Sequence, residues 1–585
     1  MSMKRKKLLI LLSISTLVIL VVFLFQYTDS YTYKIHQIEK KLTFSKENVN
    51  YDRLKYEHYD TSSFHKKAQT IEKLLKNSGS EKEIFKLFSE LKDSCSYVNT
   101  MSLLAEINSN SNVKSKEFSE EYQYSYETSI EMNDTLMKIA KKILGSDYKK
   151  KAGNYWSKEE LQRYETYLPR TNYQKKLFEK EQELIQKYNK VSSENYTATL
   201  NGTCYSEEEV NQLSGELFQN AYKEIMRKKN EKLAPIMLKL ISVRNKLSSS
   251  YGYDNYSEFC YENYYERSYT ARDIQTLSEQ IKTYMVPLEQ ELVRSFDTTS
   301  FMALNKKLNS RMKNEKLDVI EYYLSKISPR LVESFAYMRN NQLCNIQYRK
   351  NKVAGSYTVY LPYYKVPFLY SQPTDDNMDS LMLIHEFGHF NNYYYSSEKN
   401  VQNADIDLAE IHSQGLEMLY LPFYGDAGKL STSERDLLTR YFMIQRLNNL
   451  IEGCLYDEFQ RKIYTLENPT VTEINTIFYE LSREYGISVD EHASTDKSWV
   501  AVQHNFQQPF YYISYTLSGS VSLEIWINSL NDYDVACSQY LKLVSQGFEQ
   551  SFTDTLVSCE LGNPFSDGYY KKLSEELREN LLKEK

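Results

Sequence analysis

Only 17 glycines and 11 prolines are spread over 585 residues. A many-stranded β architecture needs such residues at most of its chain reversals, because they supply left-handed or φ-fixed turn positions. A chain this poor in them, and rich in Glu, Lys, Leu and Tyr, favours long helices with short connections. Its length allows two or three ordinary domains or one large helical body with a sizeable core. The 41% hydrophobic and 26% charged fractions describe a folded bulk rather than a disordered one. Net charge is −6 with both signs interspersed, which argues against nucleic acid or an anionic surface as the main partner.

The first residues depart from this texture. Lys4, Arg5, Lys6 and Lys7 precede Leu8–Phe25, a stretch without charge, glycine or proline. Eighteen residues at about 1.5 Å each just cross a hydrocarbon layer. The basic cluster then predicts a cytoplasmic tail at 1–7 and a single-pass anchor at 8–26, with the remainder outside the cell membrane. The alternative is a signal peptide whose removal releases a secreted protein, but Thr28-Asp29-Ser30 is a poor cleavage site and the apolar run is long for one.

Apolar residues at spacings of three and four predict helices from Tyr31 to about Asn195. The polar run 192–209 reads as a loop between two bodies, so the expected units are 27–195 and 196–585. Between 344 and 370, β-formers alternate with Gly355, Pro362 and Pro367, which predicts a small β-element. Helix then resumes near Asp376. Cys95, Cys204, Cys260, Cys344, Cys454, Cys537 and Cys559 are odd in number, with no C-x-x-C pair. They fit neither a disulfide framework nor a thiolate metal site.

The chemistry concentrates downstream of the β-element. His385-Glu386-Phe387-Gly388-His389 is an H-E-x-x-H motif: on a helix, both imidazoles face one metal, and Glu386 is placed to act as general base toward water there. Gly388 costs about 1 kcal/mol in a helix interior, so something must require its missing side chain, such as a closely packed neighbour. A catalytic zinc needs a third protein ligand. Glu410, 21 residues beyond His389 on a second amphipathic pattern, is placed to supply it. Glu417, two turns further, can accept the outer N–H of a ligating histidine. His412 points elsewhere and reads as an ordinary packed histidine. His504 is followed by Tyr511, Tyr512 and Tyr515, donors of the kind that stabilise a developing oxyanion, although such a cluster can equally be packing in a chain with 53 tyrosines.

In order along the chain, SVRNKLSSSYGYDNYSEF, KVAGSYTVYLPYYKVPFLY, LIHEFGHF, DLAEIHSQGLE and HNFQQPFYYISY resemble the segments of the oligoendopeptidase F-like enzymes, relatives of thimet oligopeptidase among the zinc metallopeptidases. The resemblance covers roughly 200–565. It implies a mainly α, zincin-like helical ellipsoid with a deep channel and a small β-element beside the metal helix. It also implies one Zn²⁺ per chain on His385, His389 and Glu410, with Glu386 as base and His504 and one or two nearby tyrosines as transition-state donors, Tyr512 and Tyr515 narrowly ahead of Tyr511. Gly355, Ser356 and Tyr357 would pair with the backbone of a short unfolded peptide, with Tyr511 as a further substrate contact. Members are commonly cytoplasmic, so the membrane span is a departure. The rival reading is a membrane-tethered peptide-binding or scaffold protein of the same fold without turnover. It would lack a ligand or the base, and this chain lacks neither.

Overall fold

The computed structural model describes residue 51 and residues 54–582, apart from 313–316, 375–376, 397–404, 488–495 and 548–549. The expected tail and the span at 8–26 lie outside the described residues. Among those described, no helix is long and apolar enough to cross a membrane.

The three-and-four apolar spacing becomes helix almost throughout, as expected. Near the N-terminus α1 (Ser62–Lys76), α2 (Glu81–Ser111) and α3 (Lys116–Leu144) enclose their own core of Phe64, Phe88, Leu91, Met132, Ile139 and Trp156. Over its 31 residues α2 changes allegiance. Phe85 to Val98 face that small core, whereas Met101, Leu104 and Ile107 enter the main one. The next long helix, α4 (Asn172–Ser192), starts in a Thr171/Gln174 capping box and packs into the main core through Leu177, Leu184 and Tyr188.

The run 192–209 is therefore not a loop between two bodies. It forms a hairpin, β1 (Thr197–Leu200) and β2 (Thr203–Ser206), turning at Asn201 and Gly202, both with positive φ. An Asn-Gly pair between β-formers is the signal for such a turn, and the polar composition of the run obscured it. The main core draws on both sides of position 195, with Leu177, Leu184 and Tyr188 before it and Ala198 and Val210 after it.

The helix α5 (Gly215–Ser250) leads into the main body. The small β-element has β3 (Cys344–Asn345), β4 (Gly355–Leu361) and β5 (Val366–Gln372) in the order β3-β5-β4, leaving β4 at an edge. β4 runs antiparallel to β5, with Tyr357 opposite Tyr370. The loop before β4 is tied down by buried Lys352, whose Nζ donates to the carbonyls of Asn345 (2.8 Å), Gln347 (3.2 Å) and Ser371. Among the helices that build the rest of the body, five bear on the site: α6 (Asp379–Tyr395), α7 (Ile406–Tyr420), α8 (Thr432–Tyr464), α9 (Ile513–Asn531) and α10 (Tyr533–Val544).

Two glycines set the helix spacing around the site. A Cβ on Gly388 of α6 would lie 2.5 Å from Ser413 Cα and 2.8 Å from the His412 carbonyl carbon of α7, and closer still to its oxygen. On α8, a Cβ at Gly453 would lie 2.7 Å from the Tyr512 carbonyl oxygen and closer to the Thr516 hydroxyl. Backbone thus meets backbone at both contacts, as only glycine permits.

Candidate metal centre and its His/Tyr cluster

Because α6 and α7 approach so closely at Gly388, side chains one turn away converge. One ligand atom each from His385, His389 and Glu410 lie within 4.8 Å of one another, and His385 Nε2 is 3.8 Å from Glu410 Oε2. Among the described residues this is the one group of three or more His, Cys, Asp or Glu side chains that could hold a metal ion. The outward nitrogens are also anchored. His385 Nδ1 is 2.5 Å from Glu417 Oε1, and His389 hydrogen-bonds the backbone of Ala409. Glu417 is held in turn by Arg446 of α8, whose Nη2 donates to Oε2 at 2.6 Å. Two imidazoles, each held by a further hydrogen bond, and a converging carboxylate make a donor set that fits Zn²⁺.

The electrostatics follow from burial and from the crowd of carboxylates. Burial alone would lower the His385 imidazole, but the bond to Glu417 and the nearby Glu386 and Glu410 carry it up to about 9. Burial dominates at His389, lowering it to about 4. Burial also raises the Glu386 carboxyl to about 7. Burial would raise Glu417 too, but Arg446 and His385 outweigh it and hold that carboxyl below its usual range. His412, near His389, is lowered by burial to about 3 and stands outside the donor group, as expected.

Glu386 is 4% exposed, and the Thr358 hydroxyl of β4 lies 2.9 Å from both its Oε2 and its backbone oxygen. The edge strand therefore lies directly against the proposed base. Gly355, with φ +105, is exposed at the start of that edge, and nothing would meet a Cβ there. Ser356 donates across the ladder to the Ser371 hydroxyl at 2.7 Å. Tyr357 stacks on Tyr370 and accepts from Asn110 of α2 at 3.0 Å, so its side chain is already committed to the N-terminal helices.

His504 begins a short helix, His504–Gln507, with its ring 5.2, 5.0 and 6.2 Å from those of Tyr511, Tyr512 and Tyr515. Burial lowers its imidazole, with Glu410 pulling the other way. The three tyrosines are not equivalent. Tyr511 donates to Glu410 Oε1 at 3.0 Å, and Tyr515 hydrogen-bonds Tyr511 while sensing both Glu410 and Glu386. Tyr512 instead packs edge-on against Tyr456, and the acid it senses is Glu452. Of Tyr511 and Tyr512, between which the sequence chooses only narrowly for the donor role, Tyr511 hydrogen-bonds the Glu410 carboxylate, while Tyr512 packs against Tyr456 and His504. Three tyrosines within five residues leave that choice to the turn geometry. Thr358 and Arg446 were not singled out from the sequence, and neither lies in a pattern that marks it.

Residues 51–170 match the Peptidase M3 N-terminal domain family model. No curated protein matches the chain. Among solved structures, one assigned as an oligoendopeptidase F superposes with TM-score 0.73 at 21% identity, covering 91% of this chain and 98% of the other. PZ peptidase A, solved with an inhibitor, gives 0.71, again at 21% identity over 91% and 98% of the two chains. An oligoendopeptidase F assigned from Bacillus anthracis str. Ames gives 0.70 at the same identity and coverage. At these identities the likeness is one of fold: the chain has the helical architecture of these oligoendopeptidase F structures, as the sequence resemblance implies.

Proposed function

We propose that this protein is a zinc-dependent endopeptidase that hydrolyses short unfolded peptides. The observation that carries the reading is the convergence of His385, His389 and Glu410 beside a buried Glu386. His385 Nε2, His389 and Glu410 would hold one Zn²⁺, and the outer bonds to Glu417 and Ala409 suit them to it. A bound Zn²⁺ supplies Lewis acidity toward water and toward the scissile carbonyl.

The remaining work falls to side chains. Glu386, steadied by Thr358, takes a proton from the attacking water and returns it to the leaving amine. Tyr511 and Tyr515, with His504 behind them, donate to the carbonyl oxygen as it becomes negative. β4, an outer strand of its sheet, is suited to pair with an extended peptide, which favours unfolded substrates. The basic residues 4–7 and the apolar run 8–26 support a further reading, that the enzyme works outside a membrane to which this segment tethers it.

The test is metal analysis of the purified full chain together with cleavage of a quenched peptide, with and without chelator, in wild type and Glu386→Gln. We expect one zinc per chain, activity lost to chelator, and a variant that keeps zinc while losing at least about a hundredfold in rate. A variant cutting at the wild-type rate would remove Glu386 from the mechanism.

A further inference from the structure

The turn that carries Tyr511 and leads to Tyr515 is strained and held from behind. Phe510 has φ +64, a left-handed conformation that non-glycine residues seldom adopt unless their surroundings impose it. Its buried ring sits among Tyr256, Tyr261 and Tyr464, and its N–H donates to Gln460 Oε1. One stretch, from the end of α5 to residue 269, sends three further donors to this segment. Arg244 Nη2 reaches the Phe506 carbonyl at 2.6 Å, the Tyr265 hydroxyl reaches the Pro509 carbonyl at 2.9 Å, and Arg267 Nη2 reaches the Ser514 hydroxyl at 3.1 Å.

Of these three, Arg267 also touches the other half of the site. Its Nε lies 3.4 Å from Asp407 Oδ2, which accepts from the Tyr269 hydroxyl at 2.6 Å. Asp407 is in the first turn of α7, three residues before Glu410, and is 1% exposed. The guanidinium is caged by the rings of Tyr265, Tyr261 and Tyr269 at 4.4, 4.9 and 5.7 Å. One rigid planar group therefore touches the helix that bears Glu410 and the turn that bears Tyr511 and Tyr515. From this juxtaposition we infer that Arg267 is a positioning residue that locks these two elements together and so sets where the phenol donors stand relative to the Glu410 carboxylate. A lysine would keep the charge but not the fork, since a single ammonium cannot span both partners in the same geometry.

The consequence for turnover rests on the peptidase reading; the consequence for rigidity does not. The test compares wild type, Arg267→Lys and Ser514→Ala, each as the full chain, by hydrogen exchange and by steady-state cleavage of a quenched peptide with zinc content measured in parallel. In both variants, amides at 504–515 should exchange faster than in wild type, while those of α1 to α3 keep their protection. At equal zinc content kcat should fall about tenfold or more with KM within about twofold, a split that general loss of fold would not give. In a double variant combining Arg267→Lys with Ser514→Ala, the kcat loss should be no greater than in Arg267→Lys alone. Wild-type exchange at 504–515 in Ser514→Ala would overturn the proposal, and that variant decides alone if Arg267→Lys does not fold. If the zinc-loaded wild type cleaves no peptide, the proposed function falls, and the exchange data still decide whether Arg267 holds the turn.

Discussion

Replacing Gly388 by alanine isolates what the α6–α7 contact does. In an open helix the change should stabilise by about 1 kcal/mol. Here the new methyl would sit 2.5 Å from Ser413 Cα and 2.8 Å from the His412 carbonyl carbon. Carbon–carbon contact is comfortable at about 3.5–4.0 Å, so α7 must retreat by roughly 1 Å. Overpacking of this kind costs about 1–3 kcal/mol, which cancels or outweighs the propensity gain. The larger effect falls on the metal. His385 and His389 flank the glycine on α6 whereas Glu410 rides on α7, and a coordination site tolerates only about 0.2 Å of error. Zinc affinity, measured by competition with a chromophoric chelator, should weaken by at least about 10–100-fold, the range seen when ligands are merely misoriented. Gly415→Ala, on α7 itself, is the control. Its methyl would meet only side-chain carbons of Ile525 and Tyr540 at 3.2 Å, which can give by a few tenths of an ångström, so zinc binding should be retained. A Gly388→Ala protein that binds zinc as tightly as wild type would refute the idea that this contact sets the ligand geometry.

Glu386 makes a pH-dependent prediction for the chelated protein. Burial lifts its carboxyl from 4.5 to about 7, so between those values the folded state holds a proton that the unfolded state has lost. Stability from this group is therefore complete below about 4.5 and lost as pH rises through 7, and Glu386→Gln should gain on the order of 2–3 kcal/mol over wild type at pH 8 but not at pH 4.5. Equal differences in denaturant midpoint at both pH values would contradict this. Glu417→Gln removes the carboxylate that fixes His385 Nδ1 and pairs with Arg446, so zinc affinity should fall about 10–100-fold in the same chelator competition. Gly453→Ala should do the opposite: its methyl would press on the Tyr512 carbonyl and the Thr516 hydroxyl, displacing the start of α9, so that peptide cleavage falls while zinc binding persists.

The convergence of His385, His389 and Glu410 was legible in the sequence because helical spacing nearly determines it. Residues four apart on α6 must share a face, and Glu410 and Glu417, seven apart on α7, must share another. Gly388 announced the close neighbour, and α7 is that neighbour. The order of the tyrosines was not legible: Tyr511, Tyr512 and Tyr515 are chemically alike, and the direction of each depends on the left-handed Phe510, which no local residue preference indicates. Thr358, Arg446 and Arg267 escaped notice for a different reason. Each matters through a partner 28, 29 or 140 residues away in sequence, and tertiary packing alone brings those pairs together. The hairpin at 197–206 is a milder case, where an Asn-Gly turn was hidden by the polarity around it.

The site is thus assembled from two units with separate supports. The proposed metal unit is α6 on α7, held by the Gly388 contact and by the chain from His385 through Glu417 to Arg446 of α8. The donor unit is the segment 504–515, held by Arg244, Tyr265, Arg267 and Gln460 and seated against α8 at Gly453. They meet where Tyr511 donates to Glu410, and Arg267 bridges them from behind. Tyr511 contacts the proposed ligand through a single 3.0 Å hydrogen bond that a peptide carbonyl could compete for, whereas the Arg267 link is buried away from it. A donor that must shift its hydrogen bond from Glu410 to a substrate oxygen needs its backbone held from another side, and Arg267 is placed to do so.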